Sequence, residues 1–191
     1  CCENRPLAWV GLDDHLRPEA HEVIESAREA GLNLELLTGD SSRQGPELAA
    51  RLGIESVFNG MRPEEKMRRV RALQNGGGVV SIVGDGLNDA PVLAVADASF
   101  AVAGATDLAR TEADFVIVDG DLHQVLHTWR KARQCRRIIR QNLCWALFYN
   151  LCAIPAAAMG VVAPWVAALG MSASSLLVVL NSLRLNRAPR P

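Results

Sequence analysis

Lysine is nearly missing from this chain. Lys66 and Lys131 are the two lysines among 20 basic residues, and the rest are arginine. That bias reads as genome composition rather than chemistry. Net charge is also missing: at −1 the chain has no overall field, and nothing in it points to nucleic acid. Paired CxxC spacing is absent. The five cysteines (Cys1, Cys2, Cys135, Cys144 and Cys152) are odd in number, so no disulfide framework or zinc ribbon follows. Cys1 and Cys2 would suit a soft metal, but a flexible terminal remnant explains them better. There is no initiator Met and no signal-peptide pattern, so the sequence is expected to be cut from something longer. Acid is absent from 130–140, where Arg130, Lys131, Arg133, Arg136, Arg137 and Arg140 crowd together. Charge of either sign is absent from 143–162 and from 165–183.

What is present centres on Gly84-Asp85-Gly86-Leu87-Asn88-Asp89-Ala90-Pro91. The apolar, β-branched run 79–83 before it predicts a buried strand. Pro91 after it predicts the first turn of a helix. Two carboxylates, a carboxamide and two glycines therefore sit at the carboxyl end of a strand, where ligands bind in open α/β sheets. Oxygen ligands of this kind suit Mg²⁺, and Mg²⁺ suits phosphate. A plain Asp/Asn/Gly turn would need fewer polar groups.

The rest of the first two thirds alternates. Strands are predicted at 7–12, 34–37, 56–58, 99–102 and 115–118, and helices at 18–30, 46–52 and 63–73. Alternation implies a mostly parallel sheet with helices on both faces. Thr38-Gly39-Asp40 follows a strand, so the Thr38 hydroxyl and nearby backbone N–H groups could hold a phosphate. Lys66, in a first helical turn, could add a point charge. Taken alone it would be a solvated surface lysine.

From residue 142 the composition changes. The two uncharged stretches are each about 20 residues, one membrane crossing. Arg184, Arg187 and Arg190 follow the pair, and the 130–140 run precedes it. The positive-inside rule then puts both ends and the α/β part in the cytoplasm, with Ala163-Pro164 on the far side. Polar residues inside a span need a reason. Tyr149 and Asn150 lie in the first span, Met171, Ser172, Ser174, Ser175 and Asn181 in the second. Asn150 lies about 10 Å inside Leu143 and Ser175 about 12 Å inside Leu183, so an antiparallel hairpin puts them at similar depth. Helix–helix hydrogen bonding and a metal site explain these residues about equally well. A thioether favours Cu(I) over hard cations. Pro155 is expected to kink the first span. His123 and His127 are i, i+4, but a solvated helix face is the better reading.

Together GDGLNDAP, TGD and Asp14-His15-Leu16-Arg17-Pro18 resemble the haloacid-dehalogenase (HAD) superfamily, and P-type ATPases in particular. The resemblance implies an α/β, HAD-like (Rossmannoid) partial phosphorylation domain at 1–128. A basic linker helix at 129–141, a two-helix transmembrane hairpin at 142–185 and a cytoplasmic tail at 186–191 would follow. By the same resemblance, Thr38, Gly39 and Asp40 form the phosphate turn, Thr38 and Asn88 hold the phosphoryl group, and Lys66 stabilises its charge. Asp85 ligates Mg²⁺, and Asp89 orients Lys66 and the metal's waters. The family's Asp-Lys-Thr-Gly-Thr nucleophile motif does not occur here, nor does the nucleotide-binding domain that would take ATP. The covalent step therefore needs residues outside this sequence. Ser99-Phe100-Ala101-Val102-Ala103-Gly104-Ala105-Thr106-Asp107 stands where many relatives read GIAMGSGTD, and reduced backbone freedom is expected there.

Tyr149-Asn150 and Met171-Ser172-x-Ser174-Ser175 look like the last two membrane helices of copper-transporting heavy-metal ATPases. Zinc-type relatives carry acidic residues or lysine in these spans. The likeness implies that Tyr149, Asn150, Met171 and Ser175 line a Cu(I) path, with Cu⁺ as the transported ion. The subgroup that supplies copper for bacterial haem–copper oxidase assembly looks nearest. Implied partners are the rest of the pump, the lipid bilayer of a bacterial inner membrane, and a copper chaperone or acceptor. The arginine-rich run would cover anionic lipid. A membrane-tethered HAD-type phosphatase and a truncated non-catalytic metal-binding fragment are the competing readings.

Overall fold

The structure is a computed structural model that describes residues 16–84, 89–102, 104, 107–160 and 163–186. The expected strand at 7–12, Asp14, and the site residues Asp85 and Asn88 lie outside the described residues. Two compact units divide between His123 and Gln124.

The first unit alternates as expected. Its helices are α1 (Ala20–Glu29), α2 (Gln44–Leu52), α3 (Pro63–Asn75), α4 (Ala90–Leu93) and α5 (Asp107–Glu112). Its strands are β1 (Glu35–Leu37), β2 (Ser56–Phe58), β3 (Ser81–Gly84), β4 (Ala98–Ala101) and β5 (Phe115–Val116). β1 and β2 pair in parallel, Glu35 opposite Ser56. β3, β4 and β5 form a second parallel sheet in that order. The fold is thus α/β with parallel pairing, as the alternation predicts. Leu93 on α4 packs with Ala101 on β4, flanked by Ile82 and Ala113. Val70, Val92 and Ser99 are also fully buried.

β3 departs from the expectation of a buried strand over 79–83. It begins two residues later, and Val79 is 88% exposed. The cause is local. The Asp97 carboxylate accepts the Val80 N–H, while the Val80 carbonyl accepts the N–H groups of Asp97 and Ala98. Those bonds occupy Val80 before the ladder starts. Among the described residues β3 also lies at the edge of its sheet, and its residues alternate between exposed and half-buried.

The second unit holds most of α6 (His123–Ala158), then α7 (Pro164–Ser182) and a 3₁₀ turn (Leu183–Asn186). α6 starts at the end of the first unit and runs without a break through the basic stretch into the apolar one. Pro155 sits inside it, and the helix stops at Gly160, whose φ is +71°. Among the described residues one helical stretch, Trp165–Asn186, is long and apolar enough to cross a membrane.

Candidate phosphoryl-transfer site

Thr38 lies directly after β1. Its N–H donates to the Phe58 carbonyl at 2.9 Å, and its own carbonyl accepts the Met61 N–H at 3.0 Å. The turn is thereby tied to the segment that leads into α3. The Thr38 hydroxyl accepts the Asp40 N–H at 3.1 Å, which leaves its proton free to donate to a ligand. Asp40 spends its carboxylate inside the turn. Oδ1 accepts the Ser42 N–H at 2.8 Å and Oδ2 the Ser42 hydroxyl at 2.5 Å. The Ser42 hydroxyl and N–H together hold the Asp40 carboxyl below its ordinary range. A Cβ added at Gly39 would lie at ordinary contact distance, 3.5 Å, from the Met61 carbonyl oxygen.

α3 starts at Pro63, preset for a first helical turn. The Glu65 carboxylate folds back to accept the Arg62 N–H at 2.8 Å. Lys66 follows and points inward. Its Nζ donates to Asp89 Oδ1 at 2.6 Å, with side chains 11% and 24% exposed. This pair joins the first turn of α3 to the residue capping α4, just past the end of β3. Asp89 reaches it because Gly84 has no Cβ; one there would come within 3.3 Å of the Asp89 Cβ. The lysine keeps two N–H donors for a ligand. The second Asp89 oxygen has no hydrogen bond from the described residues, and it lies beside that glycine. A hard cation such as Mg²⁺ fits this donor. Asp85 and Asp89 would hold it, and it would neutralise charge on the transferring phosphoryl oxygens. Among the described residues no three His, Cys, Asp or Glu cluster as a metal site. The histidine pair in particular does not form one: His123 lies against Asp121 and Glu22, and His127 is exposed.

In the second unit, α6 and α7 meet along a polar seam. Asn142 Nδ2 donates to the Ser182 hydroxyl at 3.0 Å, and Asn181 Nδ2 to Asn142 Oδ1 at 2.8 Å. Trp145 Nε1 donates to Ser174 Oγ at 3.0 Å. Tyr149 lies on Gly170, its hydroxyl directed at the Ala167 carbonyl. So Ser174 and Asn181 hold helix to helix, the blander of the two readings of these residues. Asn150 and Ser175 are exposed, and Met171 is 67% exposed. The Ser175 hydroxyl donates to the Met171 carbonyl at 3.0 Å. Of the four residues implied for Cu(I), only Tyr149 enters the seam.

A family model for haloacid dehalogenase-like hydrolases matches residues 2–97. The chain belongs to that family. Within that family its relatives include P-type ATPases. The copper-exporting P-type ATPase of Bacillus subtilis (strain 168) is 39% identical over 178 residues, 93% of this chain and 22% of that protein. The probable copper-exporting P-type ATPase V of Mycobacterium tuberculosis (strain ATCC 25618 / H37Rv) is 42% identical over 188 residues, 98% of this chain and 24% of that protein. A solved zinc-transporting PIB-type ATPase in its E2·Pi state matches with a TM-score of 0.86 at 32% identity, over 91% of this chain and 28% of that one. The chain spans about a quarter of the length of the curated relatives it matches.

Three features of this haloacid dehalogenase-like unit escape sequence reading. Glu35 on β1 and Arg69 on α3 form a bidentate pair, at 2.5 and 2.9 Å. That pair raises the Arg69 pKa, and the guanidinium also lies 4.7 Å from the Phe58 ring centre. It holds α3, and hence Lys66, on the first sheet. Gly45 opens α2 against the Thr38–Asp40 turn, since a Cβ there would meet the Thr38 methyl at 2.9 Å and Asn59 Oδ1 at 3.2 Å. The signal available was glycine inside a helical pattern, which asks for a packing reason. Finally, Gly104 has φ +89°, so one left-handed glycine stands within the stretch where reduced backbone freedom is expected. Ala103 and Ala105 lie outside the described residues. Ser99, where relatives read Gly, is buried and exchanges hydrogen bonds with Asp114 at 2.9 to 3.1 Å.

Proposed function

We propose that this chain is the C-terminal part of an ATP-driven P-type pump that exports Cu(I) from the cytoplasm. Mg²⁺-dependent phosphoryl transfer would go to an aspartate outside these residues. The observation that carries the reading is the Lys66–Asp89 pair at the end of β3. It presents a buried cation and a carboxylate where a phosphoryl group and its metal need opposite charges side by side. Thr38, in a turn braced by Phe58 and Met61, adds a hydroxyl donor. Asp85 and Asn88 would complete the set, Asp85 as a metal ligand and Asn88 as a hydrogen-bond donor that holds the phosphoryl group.

Copper rather than zinc is favoured by two facts. The matched curated relatives are copper exporters by name. The stretches 143–162 and 165–183 contain no carboxylate or lysine, and their thioether, Met171, suits a soft monovalent ion. The openness of Asn150, Met171 and Ser175 fits a path completed by groups beyond this hairpin. We read α6 and α7 as two spans in a bacterial inner membrane, with the α/β unit in the cytoplasm. ATP would be bound by the rest of the pump, and copper would be handed on by a chaperone or to an acceptor.

The test is Met171→Leu in the complete pump. Copper-stimulated ATP turnover should be abolished while the protein stays folded in the membrane. Unchanged stimulation would remove Met171 from the ion path.

A further inference from the structure

We propose that the exposed arginine stripe on α6 is a binding surface for anionic phospholipid headgroups. This rests on the reading that the apolar half of α6 lies in a bilayer. At about 100° per residue, Arg133, Arg136, Arg137 and Arg140 fall within an arc of roughly 100°. All four are exposed. Leu147, Leu151 and Ile154 continue the same arc further along the helix, and they too are exposed. One face of one helix therefore passes from arginine to bare hydrocarbon. Arg140 lies about 4.5 Å before Leu143 along the axis and Arg133 about 15 Å before it, which spans a headgroup layer.

The opposite face of α6 is already occupied. Lys131 Nζ donates to the Leu185 carbonyl, Gln134 Nε2 to the Arg184 carbonyl, and Asn142 to Ser182. Ile138 on that side is buried. The docking onto α7 thus fixes the rotation of α6 and turns the arginines away from it. After Asp121 the chain contains no aspartate or glutamate. Among the described residues none of the four arginines has a carboxylate within ion-pair distance. Arg133 is steadied over the Trp129 ring at 4.8 Å, and among the described residues the other three make no such ring contact. Phosphodiester headgroups match this stripe in charge, in planar hydrogen-bond geometry and in depth.

The experiment uses the complete pump in phosphatidylcholine bilayers with spin-labelled phosphatidylglycerol or phosphatidylcholine. Electron paramagnetic resonance then reads the fraction of each lipid immobilised at the protein. The native pump should prefer the phosphatidylglycerol label several-fold, and the preference should fall with added salt. The variant with Arg133, Arg136, Arg137 and Arg140 all changed to Gln should lose most of it, and four Arg→Lys changes should keep most of it. Equal preference in the native and Gln forms would overturn the proposal. So would displacement of the labelled lipid by millimolar inorganic phosphate, which would mark a free-anion site, or by an acidic peptide. If neither label is immobilised, the spanning reading of α6 fails, and the stripe fails with it.

Discussion

At the scale of single residues, the site is set by what glycines leave out and by where one histidine sits. Gly45 allows α2 to lie against Thr38, so Gly45→Ala should push the Thr38 methyl off its place at a cost of about 1–3 kcal/mol. Thr38→Ser removes that methyl and keeps the hydroxyl. The double variant should therefore recover most of the stability that Gly45→Ala loses. Urea denaturation of the four forms tests this coupling, and additive losses would contradict it. His123 opens α6, with Nδ1 2.7 Å from Asp121 Oδ1 and Nε2 3.5 Å from Glu22 on α1. The Asp121 hydrogen bond raises its pKa above the ordinary imidazole value, against the opposing effect of burial, with further help from the charges of Asp121 and Glu22. A raised folded pKa means that the contribution is complete below the unfolded value. It is lost as pH rises through the higher folded one. The native chain should thus lose stability between mildly acidic and mildly alkaline pH relative to His123→Gln. Parallel unfolding midpoints for the two across that range would exclude the effect.

At the scale of elements, much was legible, and the misses have physical causes. Every helix and strand expected in the described α/β unit is present, because period and punctuation are local properties. The start of β3 was missed because Asp97, seventeen residues away, caps Val80. The bracing of α3 was missed because Glu35 and Arg69 are thirty-four residues apart. In the site, the Lys66–Asp89 pairing was legible only by resemblance, since no periodicity links a first helical turn to a distant strand end. The change of composition near residue 142 suggested a junction, yet α6 is one helix there. Nothing between Arg130 and Ile154 breaks a helix, for the stretch has neither Gly nor Pro. The α6–α7 seam gives the element-scale prediction. A Cβ at Gly170 would meet the Tyr149 hydroxyl oxygen at 2.8 Å, whereas the next ring atoms stand at 3.6 Å. Only the hydroxyl is in the way. Gly170→Ala alone should loosen the seam by about 1–3 kcal/mol, and adding Tyr149→Phe should restore it. Tyr149→Phe alone should cost under about 1 kcal/mol, because its bond to Ala167 is long at 3.4 Å. Thermal unfolding in detergent distinguishes this from a hydroxyl that matters for its bond, in which case the double variant would be worst.

At the scale of the whole molecule, the question is what a chain spanning about a quarter of its relatives' length can do. The described site supplies a cation, a carboxylate and a hydroxyl, groups suited to stabilising charge or positioning a phosphoryl group rather than to attacking one. None of them is placed as the attacking group. Asp89 is held by Lys66, and the Asp40 carboxylate is consumed by Ser42. Electrostatic stabilisation without a nucleophile gives no covalent intermediate. The 191-residue chain, purified with Mg²⁺ and labelled ATP, should therefore show no acid-stable phosphate. The complete pump under the same conditions should label, and Lys66→Met should reduce that labelling by at least tenfold if the lysine offsets phosphoryl charge. The separation of these outcomes is informative. Labelling of the short chain would place the nucleophile within it and return the membrane-tethered phosphatase reading to the front. Undiminished labelling of Lys66→Met would leave the 2.6 Å pair with Asp89 as a brace between α3 and α4 and nothing more. A brace and a charge-stabilising group differ in one further respect. Loss of a brace lowers the unfolding midpoint in step with activity, whereas loss of the catalytic charge lowers labelling well beyond the change in folded fraction.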